Sequence, residues 1–117
     1  MFNKVFLIGN LASDPEVRAL PTGTYVANVR VATHAYIGKA EDGSRKESTD
    51  FHNVVFFGKP AEFVGNYLKK GRQVFISGRL HTSSWDDAAS GTKKYKTEVV
   101  AEEVQALGQK REEVAAA

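Results

Sequence analysis

Residues 48–59 run Ser48-Thr49-Asp50-Phe51-His52-Asn53-Val54-Val55-Phe56-Phe57-Gly58-Lys59, and the fold turns on how they are read. Thr, Val and Phe dominate, no Pro interrupts, and Gly58-Lys59-Pro60 closes the run, so the segment reads as a β-strand. Side chains alternate along a strand, which puts Phe51, Asn53, Val55 and Phe57 on one face and His52, Val54 and Phe56 on the other. Both faces carry aromatics. One face can line a core; the other needs a second layer, a subunit or a ligand. Phe51 and Phe57 stand roughly 20 Å apart along a strand that rises ~3.3 Å per residue. That is too far for one small ring to touch both, and it suits two platforms along an extended polymer. The competing reading makes both phenylalanines ordinary core, because Phe is commonly buried.

Composition narrows the classes around this strand. The chain has 117 residues, 42% hydrophobic and 26% charged, which is the balance of one average globular domain. No apolar run reaches membrane-spanning length, and Val5-Phe6-Leu7-Ile8 is too short for a secretory signal. Without cysteine there is no disulfide framework and no thiolate metal site, which fits a reducing compartment. A net charge of +2 permits polyanion binding only where Lys and Arg cluster.

Outward from the central strand, the chain alternates between strand and turn signals. Phe2 to Leu11 reads as a first strand, and Asp14-Pro15 and Pro21-Thr22-Gly23 as a loop with two turns. Tyr25 to Thr33 alternates cleanly, with Ala27, Val29 and Val31 on one face and Asn28 and Arg30 on the other. The polar, glycine-containing stretch from Ala35 to Glu47 reads as a long mobile hairpin tip. After Gly58 the period becomes helical: Pro60 suits a first turn, Phe63/Tyr67 and Val64/Leu68 are i,i+4 core pairs, and Lys69-Lys70-Gly71 supplies a basic last turn and a stop. A fourth strand runs from Val74 through Gly78-Arg79-Leu80 to Trp85, a turn spans Asp86 to Gly91, and a fifth strand covers Tyr95 to Leu107. Five strands with one short helix between the third and fourth predict an all-β, five-stranded barrel of the OB-fold type, whose exposed face and hairpin loops bind oligonucleotides or oligosaccharides.

The same segments carry a family resemblance. Asn3-Lys4-Val5 through Ile8-Gly9-Asn10-Leu11, Asp14-Pro15-Glu16-Val17-Arg18, Val26-Ala27-Asn28, Thr49-Asp50-Phe51-His52 with Val54-Val55-Phe56-Phe57-Gly58-Lys59, Tyr67-Leu68-Lys69-Lys70-Gly71, Val74-Phe75-Ile76, Gly78-Arg79-Leu80 and Thr97-Glu98-Val99-Val100 are similar, in order, to the bacterial-type single-stranded DNA-binding protein family. The resemblance covers residues 1–107 and implies one OB-fold DNA-binding domain, followed over 108–117 by a short charged, Ala-rich segment expected to be disordered. It implies stacking platforms at Tyr36, Phe51, Phe57 and Trp85, phosphate contacts from Lys59, Lys70 and Arg72 and more weakly from Arg79, Lys93 and Lys94, and a homotetramer with Asn3, Val5, Leu7 and His52 at subunit contacts. The implied partner is single-stranded DNA in replication, recombination and repair, in a cytoplasmic, nucleoid-associated setting, with no cofactor and no metal.

Three features depart from the family pattern. Tyr36 and Phe51 stand where many members have Trp, and Asn53, Ser83 and Ser84 where members are often basic. The sequence ends Glu112-Glu113-Val114-Ala115-Ala116-Ala117, without the family's long tail and acidic, Phe-ended tip, which leaves recruitment of replication and repair proteins in doubt.

Side-chain chemistry argues against catalysis. Glu41-Asp42 and Asp86-Asp87 are adjacent carboxylates in turn regions whose side chains diverge, and no phosphate-cradling glycine motif is present. His52 lacks ligand-spaced partners, and His34 and His81 read as surface residues. Trp85, flanked by Ser83, Ser84, Asp86 and Asp87, fits stacking better than a core. The alternatives are an OB-fold module that docks proteins, with scattered basic residues and buried aromatics, and a binder of RNA or fork duplex.

Overall fold

The computed structural model describes residues 1–108. Six strands and one helix follow in the order β1 (Val5–Leu11), β2 (Glu16–Ala19), β3 (Tyr25–Lys39), β4 (Arg45–Phe57), α1 (Lys59–Tyr67), β5 (Gln73–Asp86) and β6 (Lys93–Leu107). The sheet order is β1-β5-β6-β4-β3-β2, and an additional β1–β3 pairing closes five of the strands into the expected OB-type barrel.

β1 makes the closure. It pairs antiparallel with β5 from Val5↔Gly78 to Asn10↔Gln73, then crosses to β3 at Asn10↔Ala32 and Leu11↔Val31. Gly9 sits at that crossing, where a Cβ would collide with the Ala32 carbonyl oxygen and lie 2.8 Å from Val31 Cγ1. Only a residue without a side chain lets the two strands approach this closely.

The core lies inside the barrel and under α1. Leu11, Ala27, Val29, Val31, Val54, Phe56, Val74, Ile76 and Val99 fill it, and the helix contributes Ala61 and Val64 with Leu68 just beyond. This is the inward half of each alternation: Phe56 is 1% exposed and its neighbour Phe57 is 46% exposed.

Several elements differ from the sequence expectation. β2 is a strand where the loop was expected, formed by Glu16↔Asn28 through Ala19↔Tyr25. Its four residues are all exposed and lie between two prolines, so no apolar pattern announces it. The expected mobile tip at 35–47 is mostly paired strand. β3 and β4 run to Lys39↔Arg45 with a bulge between Tyr36 and Gly38, and only the connection at 40–44 turns, closed by the Ala40 amide on the Ser44 carbonyl (2.8 Å). Past the barrel rim both faces of this arm meet water, so no polar–apolar alternation marks it although the backbone stays extended. Finally, α1 stops at Tyr67 with no basic residue in its last turn, and Leu68 is already extended at φ −110 and ψ 144. Leu68 is drawn into the core, which leaves Lys69 and Lys70 in the following loop. Tyr67, expected in the core, is exposed, and its ring lies 5.5 Å from that of half-buried Phe63.

Candidate nucleic-acid interface

β4 and β6 run parallel and pair at only two positions, Val54↔Val99 and Val55↔Val100. Because the strands are parallel, their N-terminal halves leave the barrel at the same end, each with its antiparallel partner. Two hairpin arms result: β3–β4, turning at 40–44, and β5–β6, whose turn is closed by the Asp87 amide on the Thr92 carbonyl (2.9 Å).

The registers place all four predicted rings on one outer surface. Val55 and Phe57 lie on the outward face of β4 with Asn53 and Phe51, and in β3 that face continues through Asn28 and Arg30, which pair with Val55 and Asn53, to Tyr36, opposite Glu47. Val100 carries the same face onto β6, and Arg79↔Val100, His81↔Glu98, Ser83↔Lys96 and Trp85↔Lys94 carry it onto β5. Phe51 and Phe57 stand on the barrel wall, Tyr36 on one arm and Trp85 near the tip of the other. Tyr36, Phe51, Phe57 and Trp85 are each 46–52% exposed. Each therefore leaves ring surface open to solvent, unlike the core residue Phe56.

Two rings carry a cation. The Arg30 guanidinium lies 4.6 Å from the centre of Phe51, and Arg45 lies 4.6 Å from Tyr36 while also approaching the Glu47 carboxylate at 3.7 Å. Beside Phe51, a groove of about 610 Å³ runs across the outer face, lined among others by Arg18, Arg30, Lys96, Asn28 and Asn53, with Glu16 and Glu98. Lys96 is 3.7 Å from Glu98. Sequence reading missed Arg18, Arg30 and Lys96 as members of this surface. The signal for Arg30 was present in its alternation with Asn28, but the β3–β4 register is needed to show that this face is also the face of Phe51.

The basic residues expected at phosphates are dispersed. Arg79 is exposed on the outer face beside Val100. Lys59 opens α1 two residues after Phe57, and Lys70 follows the helix, its main-chain amide donating to the Asp14 carboxylate at 2.9 Å. Arg72 is held at the opposite end of β6 from Lys94, where its Nε donates to the Leu107 carbonyl (2.9 Å) and its Nη2 to that of Gly108 (3.3 Å). Lys93 and Lys94 are exposed near the tip of the β5–β6 arm.

Of the residues expected at subunit contacts, Val5 and Leu7 pack against the core, and Asn3 exchanges two hydrogen bonds with the main chain of Leu80 (2.8 and 3.0 Å). His52 faces inward, its Nε2 2.9 Å from Thr33 Oγ1. The exposed apolar side chains of β1 are Phe6 and Ile8, at 65% and 58% exposure, and Phe6 stacks on Phe75 at 6.2 Å. Among the described residues no three His, Cys, Asp or Glu side chains are grouped to hold a metal, and no helix is long and apolar enough to cross a membrane.

Comparison with known proteins agrees with this geometry. The model of the single-strand binding protein family matches residues 2–107. The chain belongs to that family. It is 49% identical over 108 residues to a single-stranded DNA-binding protein 1 of Chlorobaculum tepidum, covering 92% of this chain and 66% of that one. It is 44% identical over 110 residues to a protein of the same name from Xylella fastidiosa, covering 94% and 80%. Among solved structures, a Plasmodium falciparum SSB in complex with ssDNA superimposes with a TM-score of 0.81 at 28% identity, covering 92% of this chain and 97% of that one. The single-stranded DNA binding protein of Thermus aquaticus, as a deletion mutant, gives 0.77 at 34% identity, covering 92% and 51%. This family member therefore spans about two thirds of the Chlorobaculum protein and half of the Thermus chain. Membership of a family of binding proteins also agrees with the non-enzymatic reading of its carboxylates and histidines.

Proposed function

We propose that this family member binds single-stranded DNA without reading its sequence, holding and protecting exposed strands in replication, recombination and repair within the bacterial cytoplasm. One observation carries the reading: four rings, Tyr36, Phe51, Phe57 and Trp85, stand half-exposed on one continuous outer surface that spans both arms. Every base has a π-face, so stacking on such rings tolerates any sequence. A strand laid between the arms meets Trp85 and Tyr36 at its flanks and Phe51 and Phe57 on the barrel wall. Arg79 and Lys59 border this path, with Lys70 and Arg72 at its periphery, and their contacts with phosphate make binding weaken as salt rises. Exposed rings also count against a protein-docking module with buried aromatics.

Titration with oligothymidine tests this directly. Binding is expected to quench the fluorescence of Trp85, the only tryptophan. Trp85→Ala is expected to weaken binding by about 1–3 kcal/mol. No retained oligonucleotide at low salt would sink the proposal, and equal binding of matched RNA would move it to nucleic acid at large.

We also infer assembly into a homotetramer. On its side away from β5, β1 pairs β3 at Asn10 and Leu11, which leaves the edge of 5–9 without a strand partner among the described residues, next to exposed Phe6 and Ile8. Pairing this edge with a second copy satisfies its main chain and covers the apolar side chains. Val5 and Leu7 then take part through the backbone, with Asn3 and His52 flanking.

A further inference from the structure

We propose that Arg30 serves the Phe51 platform in two states: it caps the ring when no strand is bound, and it moves to the neighbouring phosphate when a base takes its place. The proposal rests on the single-strand reading above and adds a residue and an exchange to it.

The geometry over the covered face of the ring makes stacking on that face an exchange. With the guanidinium centre 4.6 Å from the ring centre, the covered face of Phe51 has no room for a base. A base between the two flat groups needs about 7 Å, twice an optimal carbon contact. A nucleotide stacking there therefore displaces Arg30. The freed side chain has an evident destination. Arg30 is exposed, lies on the groove of about 610 Å³ beside Arg18 and Lys96, with Glu16 and Glu98 also on its lining, and forms no ion pair among the described residues. Lys96 differs in lying beside Glu98, and Arg45, over Tyr36, beside Glu47. A guanidinium offers planar, forked donors that match phosphate oxygens, so a charge held in no ion pair goes to the backbone of the strand that displaced it.

Arg30 pairs directly across the β3–β4 ladder with Asn53, on the same face as Phe51. Asn53 carries no charge, so this cross-strand pair supplies one cation to the platform, and it comes from β3. A cation moved across the pair to Asn53 would stand on the same face, beside the same ring.

The test is the slope of log K against log salt for oligothymidine, read by Trp85 fluorescence, with thermal melting to confirm folding of each variant. Arg30→Gln is expected to make the slope shallower by about 0.7, the contribution of one phosphate on a single strand, equal to about a fivefold change in relative affinity over a tenfold range of salt. Adding Asn53→Arg to Arg30→Gln is expected to return the slope to that of wild type. Arg30→Lys keeps the charge and is expected to keep the slope while binding more weakly, because Lys lacks the planar fork. A wild-type slope in Arg30→Gln, or a shallow slope in Arg30→Lys, overturns the role of Arg30, and a double variant that stays shallow overturns the cross-strand placement. Wild-type protein that fails to bind oligothymidine overturns the function proposed above instead.

Discussion

Phe56 and Phe57 are chemically identical neighbours with opposite surroundings, because a strand sends them to opposite faces. Phe56 is almost fully buried among Val54, Val64 and Ile76, and Phe56→Ala is expected to cost about 3–5 kcal/mol of folding stability in a denaturant titration. Phe57→Ala is expected to leave the denaturation midpoint nearly unchanged and to weaken oligothymidine binding by about 1–3 kcal/mol. If both variants lose stability alike, Phe57 is core and the alternation argument fails. At the turn of the β3–β4 arm, Asp42 Oδ1 accepts hydrogen bonds from the hydroxyl (2.6 Å) and amide (2.9 Å) of Ser44. The hydroxyl, then the amide, hold the Asp42 carboxyl below its ordinary value of 3.8. A lowered folded-state pKa means that the turn's contribution is complete above the ordinary value and fades as pH falls through the lower one. Ser44→Ala is expected to shift the Asp42 titration up toward 3.8 in carboxyl NMR.

At the scale of the element, β1 holds the barrel shut, and Gly9 permits its crossing from β5 to β3. Gly9→Ala drives a methyl into the Ala32 carbonyl and is expected to lower stability by about 1–3 kcal/mol, measured as a drop in melting temperature. Strands buried on one face were legible in the sequence, as with Ala27, Val29 and Val31, because water on one side and core on the other write an alternation. β2 and the outer half of the β3–β4 arm were not, because both of their faces meet solvent. Their strand character comes from the partner's hydrogen bonds rather than from their own side chains. The end of α1 was misread for a related reason. Lys69-Lys70-Gly71 looks like a helix stop, yet burial of Leu68 ends the helix earlier, and only the packed core sets that demand.

The whole molecule presents two surfaces of opposite character, the outer face bearing the four rings and the apolar edge of β1. Phe6→Asp is expected to shift the sedimentation mass from tetramer toward smaller species, since a charge on that edge opposes pairing with another chain. A wild-type mass equal to the monomer at micromolar concentration would remove the assembly proposal altogether. What the residues alone determined was the set of strands with one wet face, the family pattern, which the family model matches over residues 2–107, and the placing of Phe51 and Phe57 on one face, because alternation and local composition are written along the chain. What only the tertiary structure decided was which cations share a face with those rings, the closure through β1, and the capping of Phe51 by Arg30. Those depend on register between segments distant in sequence, and a single strand's periodicity holds no information about its partner's alignment.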